Sequence, residues 1–308
     1  MSNVVHEPEL LGSILKRTYP ELVVSKYKLK RAEGIHLVRQ LREQGHQLLG
    51  FNSRPFVLCG LPLRRPPKDQ LLYERRNGSF VLQVTGHPQI GLPFGQDRLV
   101  PIFLATLAVR QRCQTIRFKS ASVMLDTFGM AKGGKEYRRL VAAFERIFGA
   151  TIFFGTDSVS APARVVHRSR FNFLQQATIW YQRHGGEAGE NVVTLTDEFF
   201  AEVMTHPIPT DLEAVKILAA SPGLLDLFIW LSYRCFTAKA KEEIPIFGNH
   251  GMAHQLGCIE YSRPRRFVAM LEQWLSTIRA LWPDCPAKVT ADAKRLQVSH
   301  ASPICKSA

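Results

Sequence analysis

The sequence predicts an α+β protein: two tandem winged-helix domains behind a small β-rich N-terminal extension. Three observations carry this prediction. Helix and strand signals run twice in the same order, as helix, strand, two helices and a β-hairpin. The last helix of the first series has an apolar face and an arginine face. Charge is divided along the chain rather than spread over it. The expected boundaries are an extension over residues 1–90, one domain over 91–190, a second over 191–302 and a tail over 303–308.

The extension opens with mixed loop and helix, including an amphipathic piece at residues 36–44. Apolar β-runs follow at 55–63 and 71–86, broken by Pro66-Pro67. Asn77-Gly78 stands between two β-prone runs, a strong hairpin signal because both residues tolerate the positive φ of a tight turn. Asp97 is placed to cap a helix over 97–112, with Pro101 tolerated in its first turn. A strand is expected at 115–120, then helices at 122–128 and 135–148 and a strand at 150–156. Residues 164–182 read as one long or two short strands. They complete a hairpin wing with Arg164, His167, Arg168 and Arg170 near its tip.

At about 100° per residue, a helix over 135–148 has two distinct faces. Lys135, Arg138, Arg139 and Arg146 fall on one arc. Tyr137, Leu140, Val141, Phe144, Ile147 and Phe148 fall on the other, which is wide enough to face a core. Gly133 and Gly134 precede the helix, and Gly149 ends it. Such a helix can rest on a core while presenting cations outward. A charged helix face is more often simply solvated, but this arc carries no matching acids.

The second series starts with a strand and helix at 191–204, Thr196 capping. Asp211 caps the next helix. Residues 221–241 are apolar all round, as in a buried helix. A short strand precedes a short helix at 249–256. The helix over 263–282 follows, with Phe267, Met270, Leu271, Trp274, Leu275, Ile278, Leu281 and Trp282 on one side and Arg263, Arg265 and Arg266 at its start. Pro283 and Pro286 stop it, and 287–300 reads as a hairpin carrying Lys294 and Arg295. Arginines at a helix start can point at base edges while later turns pack on the body. They also oppose the helix dipole, a cost that a phosphate would offset.

Net charge is +14, so the natural partner is a polyanion. Residues 1–96 carry a net +7, 99–183 a net +9, 184–262 a net −7 and 263–308 a net +5. Two basic modules flanking an acidic one point to two separate contacts. Six scattered cysteines, with no CxxC pair and no secretory segment before them, read as reduced thiols in the cytoplasm. The longest apolar run, 224–231, is too short to span a bilayer, so no membrane partner is expected.

Three tempting motifs fail. Residues 129–136, GMAKGGKE, miss a Walker A loop because Glu136 stands where Ser or Thr must ligate magnesium. His250, His254 and Cys258 have i, i+4, i+8 spacing, but Gly257 interrupts the helix and no fourth ligand is near; no metal or other cofactor is expected. No His-x-His pair occurs, which argues against strand nicking.

The run from Gly91 through IRFKSASVMLDTFGMAKGGKEYRRLVAAFERIFGATIFFGTD to Asp157 resembles RepA-type plasmid replication initiators, as do YERRNGSFVLQVTGHP (73–88) and RPRRFVAMLEQWLSTIRALWPDCPAKV (263–289). The resemblance covers most of residues 70–300. It implies two winged-helix domains, binding of double-stranded DNA at repeated origin sequences (iterons), and local strand opening. It further implies recruitment of the host initiator DnaA and the replicative helicase, and a monomer–dimer equilibrium. It assigns Lys135, Arg138, Arg139 and Arg146 to one DNA-facing helix and Arg263, Arg265 and Arg266 to the other. A non-enzymatic, plasmid-associated bacterial initiator with a part in copy control is the expectation. A winged-helix transcriptional repressor is the first alternative, and a nicking or ATP-driven enzyme the second.

Overall fold

The computed structural model describes residues 26–160, 163–179, 190–248, 251–258 and 263–305. The chain begins with α1 (Lys26–Glu43), β1 (Leu49–Asn52) and α2 (Arg54–Leu58). The expected strand at 55–63 is therefore a helical turn that runs into irregular chain. Ser53 stands at its N-cap and Pro55 at its start, where the missing N–H costs nothing. Periodicity alone cannot separate a short buried strand from a short buried helix.

The Asn77-Gly78 hairpin forms as expected, between β2 (Leu72–Asn77) and β3 (Phe80–Thr85), with Gly78 at φ +60°. It does not stand alone. β3 pairs with β5 (Thr151–Ser160), which pairs with β6 (Ala163–Asn172), giving one four-stranded antiparallel sheet.

The helix expected from Asp97 starts as a 3₁₀ turn, Gly95–Arg98, and continues as α3 (Leu99–Gln111). Asp97 acts one turn inside the start, its carboxylate accepting the Phe94 N–H at 2.8 Å. Arg112, at φ 50°, ends α3. Then follow β4 (Thr115–Phe118), α4 (Ala121–Thr127) and α5 (Gly134–Phe148). After β6 a one-residue break leads to β7 (Leu174–Thr178), which pairs with β8 (Asn191–Leu195). β4 also pairs with β8, giving the sheet β4-β8-β7. β4 and the β5–β6 hairpin thus lie in different sheets.

The second series continues with α6 (Asp197–Thr205), β9 (Ile208–Asp211), α7 (Leu212–Leu218) and α8 (Pro222–Thr237). Both expected caps are present. The Thr196 hydroxyl accepts the Phe199 N–H at 3.3 Å, and Asp211 accepts from Glu213 and Ala214 at 3.1 and 3.2 Å. β10 (Glu242–Pro245), α9 (Met252–Gln255), α10 (Pro264–Leu281), β11 (Lys288–Val289) and β12 (Arg295–Val298) complete the chain. The last three strands form one sheet in the order β10-β12-β11. β9, which no sequence signal marked, pairs with β1 across the length of the first series.

Side chains from both series merge into a single core. Phe56, Phe171, Phe173 and Phe199 pack ring on ring, with centroids 5.0–5.5 Å apart. Near them the buried Arg98 guanidinium pairs with buried Asp226 of α8. Arg98 also donates to the carbonyls of Gly95, Leu61 and Pro62 at 2.6, 3.1 and 2.9 Å. Burial lowers the Arg98 pKa to about 10, and the guanidinium is still charged at neutral pH. α1 docks on the second series. Arg42 donates to the Leu281 carbonyl at 2.6 Å and to Asp211 at 3.0 Å. Residues 26–90, placed in one extension by the sequence, thus send α1 to the second series and β2–β3 to the sheet of the first.

The six cysteines form no disulfide, and burial pushes the Cys59 thiol up to about 12. Among the described residues no helix is long and apolar enough to cross a membrane.

Candidate nucleic-acid interface

α5 places its faces nearly as its periodicity requires. Leu140, Ala143, Phe144 and Ile147 are buried. The core side is centred nearer Ala143 than the wheel indicated. Phe148 therefore falls off its edge and is 47 % exposed, a correction to the expected apolar arc. The same rotation brings Arg146 inward on the opposite edge.

Arg146 is the clearest departure from the expected DNA-facing set. Its Nε and Nη2 donate to the two Asp97 oxygens at 2.6 and 2.9 Å, and its guanidinium lies 4.7 Å from the Phe94 ring centroid. The pair is bidentate and mostly buried, so it fixes α5 against the start of α3 rather than offering a cation to solvent. The helix wheel could not show this, because the partner lies 49 residues away.

Lys135, Arg138 and Arg139 are exposed. Arg139 has a loose ion pair with Glu136 at 3.6 Å, which holds little at a surface. These three cations line an open groove of about 840 Å³. Buried Leu99, Met124, Leu140 and Ala143 also line it, as do Arg64 and Arg65 from the segment after β1 and α2. Ala220 and Pro222, at the start of α8, complete the lining. Asp97 is the only acid among the described residues that line the groove, and it is engaged by Arg146. Arg64 and Arg65 lie beside the Pro66-Pro67 break, and that basic pair is the sequence signal for this part of the groove.

On the β5–β6 hairpin, Arg164 pairs in register with Val159 next to the turn, Arg168 with Gly155 and Arg170 with Phe153. Only Arg164 is therefore near the tip, and Arg170 lies toward the base. Its exposed guanidinium is 6.0 Å from the Phe153 ring centroid. The side chains of Arg164, His167 and Arg168 lie outside the described residues.

The second cluster has a different form. Arg263, Arg265 and Arg266 are all exposed at the N-terminus of α10, whose first turn has no acidic residue. Phe267, Leu271, Leu275, Ile278 and Leu281 are buried behind them, as the stripe requires. Lys294 is exposed in the β11–β12 turn. Arg295, beside it, is held by Glu243 of β10 at 3.2 Å.

The Walker-like segment adjoins the first cluster, because Lys135 belongs to both. The Walker-like glycines form the turn into α5. Gly129 is at φ +60°, Gly133 is the N-cap, and Lys132 pairs with Asp126 at 2.8 Å. His250 lies outside the described residues, among which no group of three His, Cys, Asp or Glu could hold a metal.

Residues 63–213 match the family model described as replication initiator protein A. No curated protein sequence matches the chain. Among solved structures, domains 2 and 3 of RctB superpose with a TM-score of 0.46 at 14% identity, covering 70% of this chain and 80% of that one. A second RctB structure, also of domains 2–3, gives 0.44 at 11% identity, covering 77% and 92%. Over residues 63–213, just under half of the chain, the family match agrees with the resemblance to replication initiators read from the sequence.

Proposed function

We propose that the chain binds repeated sequences at a plasmid origin with two winged-helix units, promotes local duplex opening and recruits host DnaA and the replicative helicase. It does so as a non-enzymatic DNA-binding protein of the bacterial cytoplasm, in monomer–dimer equilibrium. The observation that carries the reading is the repeated arrangement of a cationic helix followed by a β-hairpin: α5 before β5–β6, and α10 before β11–β12. In the second unit β10, β11 and β12 share one sheet, two of whose strands follow α10 in the chain, which supports this reading.

In this reading Arg138 and Arg139, and Arg265 and Arg266, are the candidates for base contacts. A bidentate arginine–guanine pair contributes about 1–3 kcal/mol of discrimination. Lys135, Arg170, Arg263 and Lys294 are candidates for phosphate contacts, which position the protein without specifying sequence.

The test is a gel shift of the full chain on duplex DNA carrying tandem repeats from its own origin, at physiological salt. Preferential binding over scrambled DNA is expected; equal affinity for both sinks the reading. Steep salt dependence alone decides nothing, because any basic protein shows it.

A further inference from the structure

We propose that the loop of residues 63–68 is a second DNA-contacting arm, in which Arg65 and Lys68 hold backbone phosphates of the same duplex that α5 engages. The inference rests on the DNA-binding reading above and adds a contact that lies outside both cationic helices.

Position is the first argument. Arg65 lines the groove of about 840 Å³ together with Lys135, Arg138 and Arg139 of α5, roughly seventy residues later in the chain. It also lines an adjoining cleft of about 210 Å³ with Lys68. The cationic surface therefore runs from α5 across the groove and along the loop. Arg65 and Lys68 are both exposed.

Charge is the second argument. The one carboxylate among the described residues lining the groove, Asp97, is taken up by Arg146 and the Phe94 N–H. Among the described residues that line the groove, Lys135, Arg138, Arg139 and Arg65 thus meet no other acid, and Arg139 adds only its loose contact with Glu136. Such a surface favours a polyanion.

Stiffness is the third. Pro62, Pro66 and Pro67 restrict the loop, one end is tied to the body and the other closes in a local turn. The Pro62 carbonyl accepts from Arg98 and from the Gly95 N–H at 2.9 Å each, and the Pro67 carbonyl accepts the Gln70 N–H at 3.1 Å. The clamp traces back to the buried Arg98–Asp226 pair. An arm held in this way loses little backbone freedom when it binds. A phosphate is the matching ligand, since the arm offers point and fork cations and no shaped pocket for a base.

The test compares the full chain with the double variant R65A/K68A on duplex DNA carrying the origin repeat, following affinity against salt. Each phosphate contact contributes about 0.9 to the slope of log affinity on log salt, so the slope should become shallower by about 1.8. Preference for the repeat over scrambled DNA should survive, because phosphate contacts do not specify sequence. The control is K239A/K241A, which removes two exposed lysines of the acidic module and should leave the slope unchanged. An unchanged slope in R65A/K68A, or an equal flattening in the control, overturns the arm. Absence of any preference in the unmodified chain overturns the initiator reading instead, while the slopes still decide whether the loop touches DNA.

Discussion

The two cationic helices solve the same problem in opposite ways. α5 lies in a groove, with one of its four cations committed to Asp97 and another leaning on Glu136. α10 stands bare at its start, with three exposed arginines and no acid in its first turn. The sheets differ too. The strands behind α10 form one local sheet, whereas the hairpin after α5 is incorporated into a sheet with β2 and β3. An embedded helix is fixed in direction by its surroundings. A bare one keeps all its charge for a partner but sets its own dipole against it.

The largest expected effect breaks the link between the two halves. Asp226→Ala leaves the Arg98 charge buried without its partner and should lower stability by about 3–5 kcal/mol in denaturant unfolding. It should also loosen the Leu61 and Pro62 carbonyls that Arg98 holds. Next, Phe144→Ala should remove about 3–5 kcal/mol by leaving a cavity under α5. Arg138→Ala and Arg139→Ala should instead weaken DNA binding with an unchanged melting temperature. If Arg138→Ala unfolds the protein, the faces of α5 are assigned backwards.

Asp97→Ala tests the embedding itself. It strands a half-buried guanidinium and a backbone N–H, and should cost about 1–3 kcal/mol. Replacing Arg263, Arg265 and Arg266 together with Ala should flatten the salt dependence of DNA binding by about 0.9 per lost phosphate contact. Stability should rise slightly, by about 0.3–1 kcal/mol per removed charge at low salt. A drop in melting temperature would show that α10 is not bare after all. The smallest effect is expected at Arg295. Its exposed pair with Glu243 should be worth under about 1 kcal/mol, so Arg295→Ala should barely move the unfolding curve.

What the sequence disclosed was local. α5 and α10 were legible because five or more apolar residues kept helical spacing in each. Thr196 and Asp211 announced their helices by cap chemistry, and Asn77-Gly78 announced its hairpin. What stayed hidden was non-local. β1 and β9 are four residues each, too short for a periodic signal, and their pairing shows only in three dimensions. Arg146 looked like its neighbours on the wheel until Asp97 came into reach. Arg98 and Asp226 sat in apolar helices with nothing to mark them as partners. Arg64 and Arg65 lay in a proline-rich break that is easily passed over as a linker.

The β1–β9 pairing has a consequence for how the chain is made. Leu49 pairs with Asp211 and Asn52 with Ile208, so roughly 160 residues separate the partners. At about 5–20 residues per second of synthesis, β1 waits about 8–32 s for β9 to be made. The β2–β3 hairpin can form early but has an open edge until β5 follows. A nascent chain stopped between those points exposes unpaired strand edges, the kind of surface that chaperones cover. Long sequence separation slows folding as well, since loop closure must precede the contacts that reward it. The ribosome-bound intermediate should therefore be the most aggregation-prone form of this protein.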